Sequence, residues 1–245
     1  MNIKDIPIFW INLNRDTEKR KNMESMFDKY GFTNHTRISG TRNNNSIVGC
    51  AISHLYALEE MSPDSGFLIL EDDCAVTEWT DDWDIELPNV DLIYFGNSLW
   101  GREPDLEKRE RHHDKLTYLS KWRSDLHTVH PDGDGSGPWV ELHKQNGMFR
   151  KITNMLSTHA IYYGTSKAKQ ETIRVMKENL NSNEPQHIDW LFADILQKKL
   201  ETVAFDSPIF YQDDFHKSFT TKVKLSEYHS AVNKLFVWGD DPCRF

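Results

Sequence analysis

Short apolar runs alternate with amphipathic stretches along this chain. Ile6 to Leu13 (IPIFWINL), Phe67 to Leu70 (FLIL) and Asp91 to Phe95 (DLIYF) are of strand length and almost wholly apolar. That is the pattern of strands buried on both faces of a parallel sheet. Between them the period changes. Met23, Met26, Phe27 and Tyr30 recur at helical spacing, with Asp16 or Thr17 placed to cap the helix and Gly31 to stop it. Phe32 to Ser39 reads as a short strand. Val48, Ala51, Ile52, Leu55 and Leu58 predict a second helix over 47–61. Trp79 and Trp83 are spaced for one helical face. Ser157 to Tyr163 returns to strand character and leads into helices over 167–180 and from His187 to Leu200, before final strand segments at 203–205 and 208–211. Strands alternating with helices predict an α/β fold: a Rossmann-type, mostly parallel sheet flanked by helices.

Residues from Gly101 to about Gly147 break this rhythm. They carry Pro104, Pro131, Pro138 and the glycine-rich Asp132 to Gly137. We read 97–155 as a long irregular insertion on the acceptor side of one catalytic domain spanning 1–245. An insertion of that length is usually a lid or a binding surface. Asp132-Gly133-Asp134-Gly135 is like part of a calcium loop, but the glutamate that an EF-hand needs is absent.

Composition narrows the classes. Charged residues are 27% and hydrophobic residues 38%, ordinary for a globular enzyme. The formal net charge of −9 argues against broad binding to nucleic acid or anionic membranes. No apolar run has the length of a membrane span, and Met1 to Asp5 lacks a signal peptide's apolar core. Cys50, Cys74 and Cys243 are odd in number and spaced unlike a zinc site. They read as reduced thiols, which predicts a cytoplasmic protein.

The chemistry centres on Glu71-Asp72-Asp73, at the end of the Phe67 to Leu70 run. Ligands of open α/β sheets bind outside the carboxyl ends of the strands. Crowded carboxylates raise each other's pKa, and a hard divalent cation with oxygen ligands relieves that cost. Side chains alternate along a strand, so Glu71 and Asp73 are expected on one side as metal ligands, with Asp73 the surest. Asp72 is left to a donor ribose. Arg15 or Arg20 is placed to pair with a diphosphate, since guanidinium matches phosphate geometry. Ser53 and His54, adjacent on a helix, point about 100° apart and are no nucleophile–base pair.

Three of these stretches carry a family likeness. Trp10-Ile11-Asn12-Leu13-Asn14-Arg15 with Arg20, Gly49-Cys50-Ala51-Ile52-Ser53-His54, and Leu68-Ile69-Leu70-Glu71-Asp72-Asp73 resemble, in order and spacing, the motifs of glycosyltransferase family 25. Thr158 to Tyr163 and His187-Ile188-Asp189 are similar to its later elements. The resemblance implies a GT-A fold, a UDP-sugar or other nucleotide-sugar donor, dependence on Mn²⁺ or Mg²⁺, and inverting transfer to a hydroxyl acceptor such as a glycan. It places Asn12, Arg15, Ser53 and His54 along the nucleotide, and a histidine ligand near the C-terminus, for which His216 is the candidate. An inverting transfer needs a general base. Asp189 is the choice, at a helix start where a carboxylate is favoured. Its competing role is a helix cap or a contact to the donor sugar, and Asp206, Asp213 and Asp214 are the alternatives.

The 97–155 segment has no counterpart in that family. Lys108, Arg109, Arg111, Lys115, Lys121 and Arg123 with Trp100, Trp122 and Trp139 would suit a hydroxymethylated base in DNA as acceptor. Neighbouring acids nearly cancel that charge. A nucleotide-sugar-binding module without transfer, and a metal-dependent phosphohydrolase, complete the alternatives.

Overall fold

The computed structural model describes residues 2–77, 83–98, 101–102, 136–137, 140–206 and 208–212. The strands in chain order are β1 (Ile8–Asn12), β2 (His35–Ser39), β3 (Phe67–Glu71), β4 (Cys74–Val76), β5 (Leu92–Tyr94), β6 (Gly101–Arg102), β7 (Ser136–Gly137), β8 (Glu141–Asn146), β9 (Phe149–Thr153), β10 (Ala160–Tyr163), β11 (Thr202–Phe205) and β12 (Phe210–Gln212). The longer helices are α1 (Thr17–Tyr30), α2 (Ser46–Tyr56) and α3 (Ser166–Leu180).

Eight strands make the main sheet, in the order β2-β1-β3-β10-β5-β11-β9-β8. β2, β1 and β3 run parallel. β10 runs against both β3 and β5, β11 runs with β5, and the β8–β9 hairpin alternates at the far edge. Six of the eight strands therefore point one way, which gives the expected mixed α/β, mostly parallel sheet.

Alternation along the strands divides the core between two faces. Ile8, Trp10, Leu68 and Leu70 pack with Met23, Met26 and Phe27 of α1. Phe9, Phe67 and Ile69 pack with Ala51 of α2, Ala168 and Val175 of α3, and Phe192. The four residues Phe67 to Leu70 are wholly buried, and burying such side chains stabilises the fold by roughly 1.5–3 kcal/mol each. β3 thus carries the acidic turn on a strand buried along four consecutive residues. α1 ends where expected, at Gly31 with φ of 74°, a left-handed conformation that favours glycine.

Some elements differ from the sequence reading. Val48, Ile52 and Leu55 are only partly buried, while Gly49, Ala51, Ser53 and His54 form the buried face of α2. His54 faces inward towards Glu71 at the acidic tip of β3, and Ser53 towards the Thr41 amide and the Gly49 carbonyl. Cys74–Val76 is a strand paired with Phe210–Gln212, so the chain returns in extended form directly after the triplet. Trp79 lies outside the described residues. Within 97–155, Glu141–Asn146 and Phe149–Thr153 form the edge hairpin around Gly147, and Gly101–Arg102 pairs with Ser136–Gly137. The rest of that segment's centre lies outside the described residues.

Asn45 caps α2, its side-chain oxygen accepting from the Ile47 amide at 3.0 Å. Asn45→Ala is expected to cost about 1 kcal/mol of unfolding free energy, read as a lowered denaturant midpoint with an unchanged slope.

Candidate active site

The register of β1 on β3 builds the site. Ile11 pairs with Glu71, so Asn12 arrives beside Asp72. Asn12 is fully buried. Its amide donates to Asp72 Oδ2 at 2.7 Å and to the Asp16 carbonyl at 3.2 Å, and its Oδ1 accepts from Arg37 Nε at 2.9 Å. Every polar atom of this side chain is in use within the protein. Asn12 therefore holds the acidic turn in place rather than standing open to a ligand, and it does not line the cleft.

β3 ends at Glu71, and Asp72 and Asp73 form a turn. Strand alternation therefore does not extend through the triplet, and its three carboxylates divide differently from the expectation. Lys19, in the first turns of α1, reaches Asp72 Oδ1 at 2.9 Å and Asp73 Oδ2 at 3.8 Å. Burial alone would lower the Lys19 pKa, but Asp73 and Asp72 beside it hold it above the ordinary lysine value. Burial raises the Asp72 pKa, against the opposing pull of Lys19. Gln212, at the end of β12, donates to Asp73 Oδ2 at 3.1 Å. Asp73 Oδ1 is buried and has no hydrogen-bond partner among the described residues.

Glu71 turns the other way. His54 Nε2 lies 3.3 Å from its Oε1, and the Thr158 hydroxyl lies 2.7 Å from the same oxygen. The same hydroxyl is 2.5 Å from Asp189 Oδ1. A threonine has one proton to donate. Both carboxyl contacts are hydrogen bonds only when one carboxyl carries a proton of its own and donates to the threonine oxygen. The environments decide which. Burial opposes ionisation of Glu71, yet His54 and Thr158 draw its pKa down to about 2. Burial and the Glu71 charge push Asp189 up to about 6. So Glu71 is the carboxyl held towards its ionised form, and Asp189 is the one that keeps a proton up to about 6. The expected helix-start effect at Asp189 does not dominate. Its helix, Ile188–Leu191, has a single turn before a π-helical stretch from Phe192 to Leu196, and the dipole effect is weak beside a buried charge.

A cleft of about 510 Å³ opens at the carboxyl ends of β1 and β3. That is within the range of small-molecule sites. Arg15, Lys19, Arg42, Asn43, Ser53 and His54 line it together with all three acids of the triplet. Arg20 is not brought there: it pairs with Glu24 on the exposed side of α1 at 2.8 Å. Ser53 lines the cleft, but its hydroxyl accepts from the Thr41 amide at 2.8 Å and donates to the Gly49 carbonyl at 2.7 Å. It ties the loop over 40–45 onto α2. Gly49 permits that approach, since a Cβ there would stand 2.8 Å from the Thr41 oxygen. Asp206 is a buried partner of Arg150 at 2.8 Å, on the far side of the sheet order from β1. His216, Asp213 and Asp214 lie outside the described residues.

Lys19 and Thr158 do not stand out in the sequence as site residues. Lys19 does carry a signal: it is in helical phase with Met23, Met26 and Tyr30, a charge on a buried stripe. Thr158 was marked only as the start of a strand stretch with a family likeness, and its bridging role depends on Asp189 arriving from another element.

No protein-family model matches this chain, and no curated protein sequence matches it. Among solved structures the chain is similar to the CTP:phosphocholine cytidylyltransferase of Streptococcus pneumoniae (LicC). The TM-score is 0.40 and the identity 8%, over 84% of this chain and 92% of that one. A likeness at that level carries no chemistry to this chain, which rests on its own cleft. No helix of the described residues is long and apolar enough to cross a membrane.

Proposed function

We propose that this chain is a metal-dependent, inverting glycosyltransferase that moves a sugar from a nucleotide sugar, such as a UDP-sugar, to a hydroxyl acceptor. The observation that carries this reading is the division of the triplet at one end of one cleft. Asp72 and Asp73 share the Lys19 ammonium, while Glu71 shares the Thr158 hydroxyl with Asp189, whose carboxyl is pushed up to about 6 by burial and the Glu71 charge.

Among the described residues no three His, Cys, Asp or Glu side chains gather around one metal position, so a divalent cation here would rest on Asp73 and on the ligand's own phosphate oxygens. Both oxygens of Asp72 are occupied by Asn12 and Lys19, whereas Asp73 Oδ1 is buried without a partner among the described residues. Gln212 donates to the other Asp73 oxygen, and His216, a further candidate ligand, lies outside the described residues. Bound there, Mn²⁺ or Mg²⁺ would supply positive charge to a leaving diphosphate. Arg15, Lys19 and Arg42 bind and orient the same group, and such preorganised charge stabilises the leaving group as its bond breaks. The acceptor oxygen attacks the anomeric carbon, the bond from that carbon to the phosphate oxygen breaks, and Asp189 takes the acceptor proton. Thr158 and Glu71 hold Asp189 in position for that transfer. The modified-DNA alternative rests on basic and aromatic residues of 97–155 that lie outside the described residues, and the observations favour no second reading.

The test is thermal unfolding with a panel of UDP-sugars, with and without Mn²⁺. A cognate donor at a hundred times its dissociation constant stabilises the native state by about 2.7 kcal/mol, so one donor should raise the melting temperature by several degrees when Mn²⁺ is present. If no nucleotide sugar moves it, the proposal fails. Binding without turnover on any acceptor leaves the binding-module alternative instead.

A further inference from the structure

Lys19 stands where a metal and its diphosphate would meet. Its ammonium lies between Asp72 and Asp73, on the side of the triplet that faces the cleft. Lys19 is 7% exposed, so its charge is held at the acids rather than dispersed into solvent. The carboxylates themselves are fixed from behind. Asn12 grips Asp72 Oδ2 and Gln212 grips Asp73 Oδ2. Asn12 has no spare polar atom with which to follow a ligand. Lys19 differs, because its charge ends a flexible four-carbon stem, and its ammonium makes one hydrogen bond among the described residues, to Asp72. A second cation at Asp73 would sit close to that ammonium, and like charges a few ångströms apart repel strongly in a partly buried site.

We infer that Lys19 and a divalent cation compete for Asp72 and Asp73, and that a diphosphate-bearing ligand in the cleft resolves the competition by drawing the Lys19 ammonium to itself. This rests on the proposed donor and metal site and deepens it. Lys19 serves as the counter-charge of the empty cleft and as a diphosphate ligand of the filled one. Metal and diphosphate then bind with positive coupling, and by linkage each tightens the other by the same factor.

Direct Mn²⁺ binding to the full chain tests this, measured by calorimetry or by the electron paramagnetic resonance of free Mn²⁺, with and without UDP. The proteins compared are the wild type, Lys19→Gln, Lys19→Arg and Asp73→Asn. Lys19→Gln keeps a donor for Asp72 but removes the charge. It should bind Mn²⁺ about tenfold more tightly than the wild type without UDP, and the gain that UDP brings should shrink by a similar factor. Lys19→Arg keeps the charge and should behave as the wild type does, which separates charge from local disturbance. Asp73→Asn should bind no Mn²⁺. Equal Mn²⁺ affinity of the wild type and Lys19→Gln without UDP overturns the competition while leaving the metal site standing. Absence of Mn²⁺ binding to the wild type even with UDP overturns both the competition and the metal reading beneath it.

Discussion

Asp189→Asn is expected to lower the turnover of sugar transfer by 10²- to 10⁴-fold, the usual contribution of a positioned general base, with donor affinity nearly unchanged. The asymmetry comes from where the residue stands. Asp189 is held by Thr158 behind Glu71 and is not among the residues lining the cleft that would take the nucleotide. Asparagine has nearly the same shape, and its amide can donate to the Thr158 oxygen as a protonated aspartate does. The hydroxyl bridge therefore survives, and the fold with it, while the capacity to accept a proton is lost. Steady-state kinetics with the donor identified by thermal shift would read the effect as a loss of kcat at constant donor affinity. Wild-type turnover in this variant would falsify the assignment. Asp206 would not inherit the role, because it is buried against Arg150. The base would then have to be sought at Asp213 or Asp214.

The sequence carried the frame of this site better than its wiring. The apolar run from Phe67 to Leu70 marked the buried strand correctly, because a strand covered on both faces has no other way to read. The place of the acids at its carboxyl end came from topology alone. What remained hidden was how three adjacent carboxylates would be shared out. Strand alternation was the only rule at hand, and it ceased to apply one residue too early, at the turn after Glu71. Asn12 and Ser53 were legible as polar residues near the carboxyl ends of the strands, but not as side chains whose hydrogen bonds are spent on the protein itself. That depends on Arg37 and Thr41, which local sequence does not bring to mind. The inward face of α2 was misjudged for a related reason. Counting apolar positions assumes an apolar neighbour, and this helix meets an anion. A histidine beside Glu71 is worth more there than another leucine. The edge hairpin over 141–153 was obscured by its polar sequence, which suits an edge strand as well as it suits a loop.

Transfer should also depend on pH. Asp189 must be ionised to accept a proton, and burial together with the Glu71 charge has raised its pKa to about 6. The kcat/KM for transfer should therefore rise with pH through about 6 and level off above it. Thr158→Val removes the shared hydroxyl while keeping the volume of the side chain. In the wild type the single Thr158 proton goes to the Glu71 anion, and protonated Asp189 donates to the Thr158 oxygen, so the bridge favours the neutral form of Asp189. Without the hydroxyl that neutral form loses its acceptor, and the Asp189 pKa moves down. The acidic limb of the profile thus shifts to lower pH in Thr158→Val. Near neutrality the variant should lose about a hundredfold in turnover, since the base is less well held. Thr158→Ser restores the hydroxyl and should bring the limb back towards the wild-type position. A merely structural threonine predicts something else: a uniform loss across the pH range and no difference in the position of the limb. The same titration acts on stability with the opposite slope. Between the ordinary carboxyl pKa and about 6 the native state binds the extra proton at Asp189, so this group's contribution to stability falls as pH rises through that window. An enzyme more active, and by this group slightly less stable, above its own working pKa is what a buried base beside a permanent anion entails.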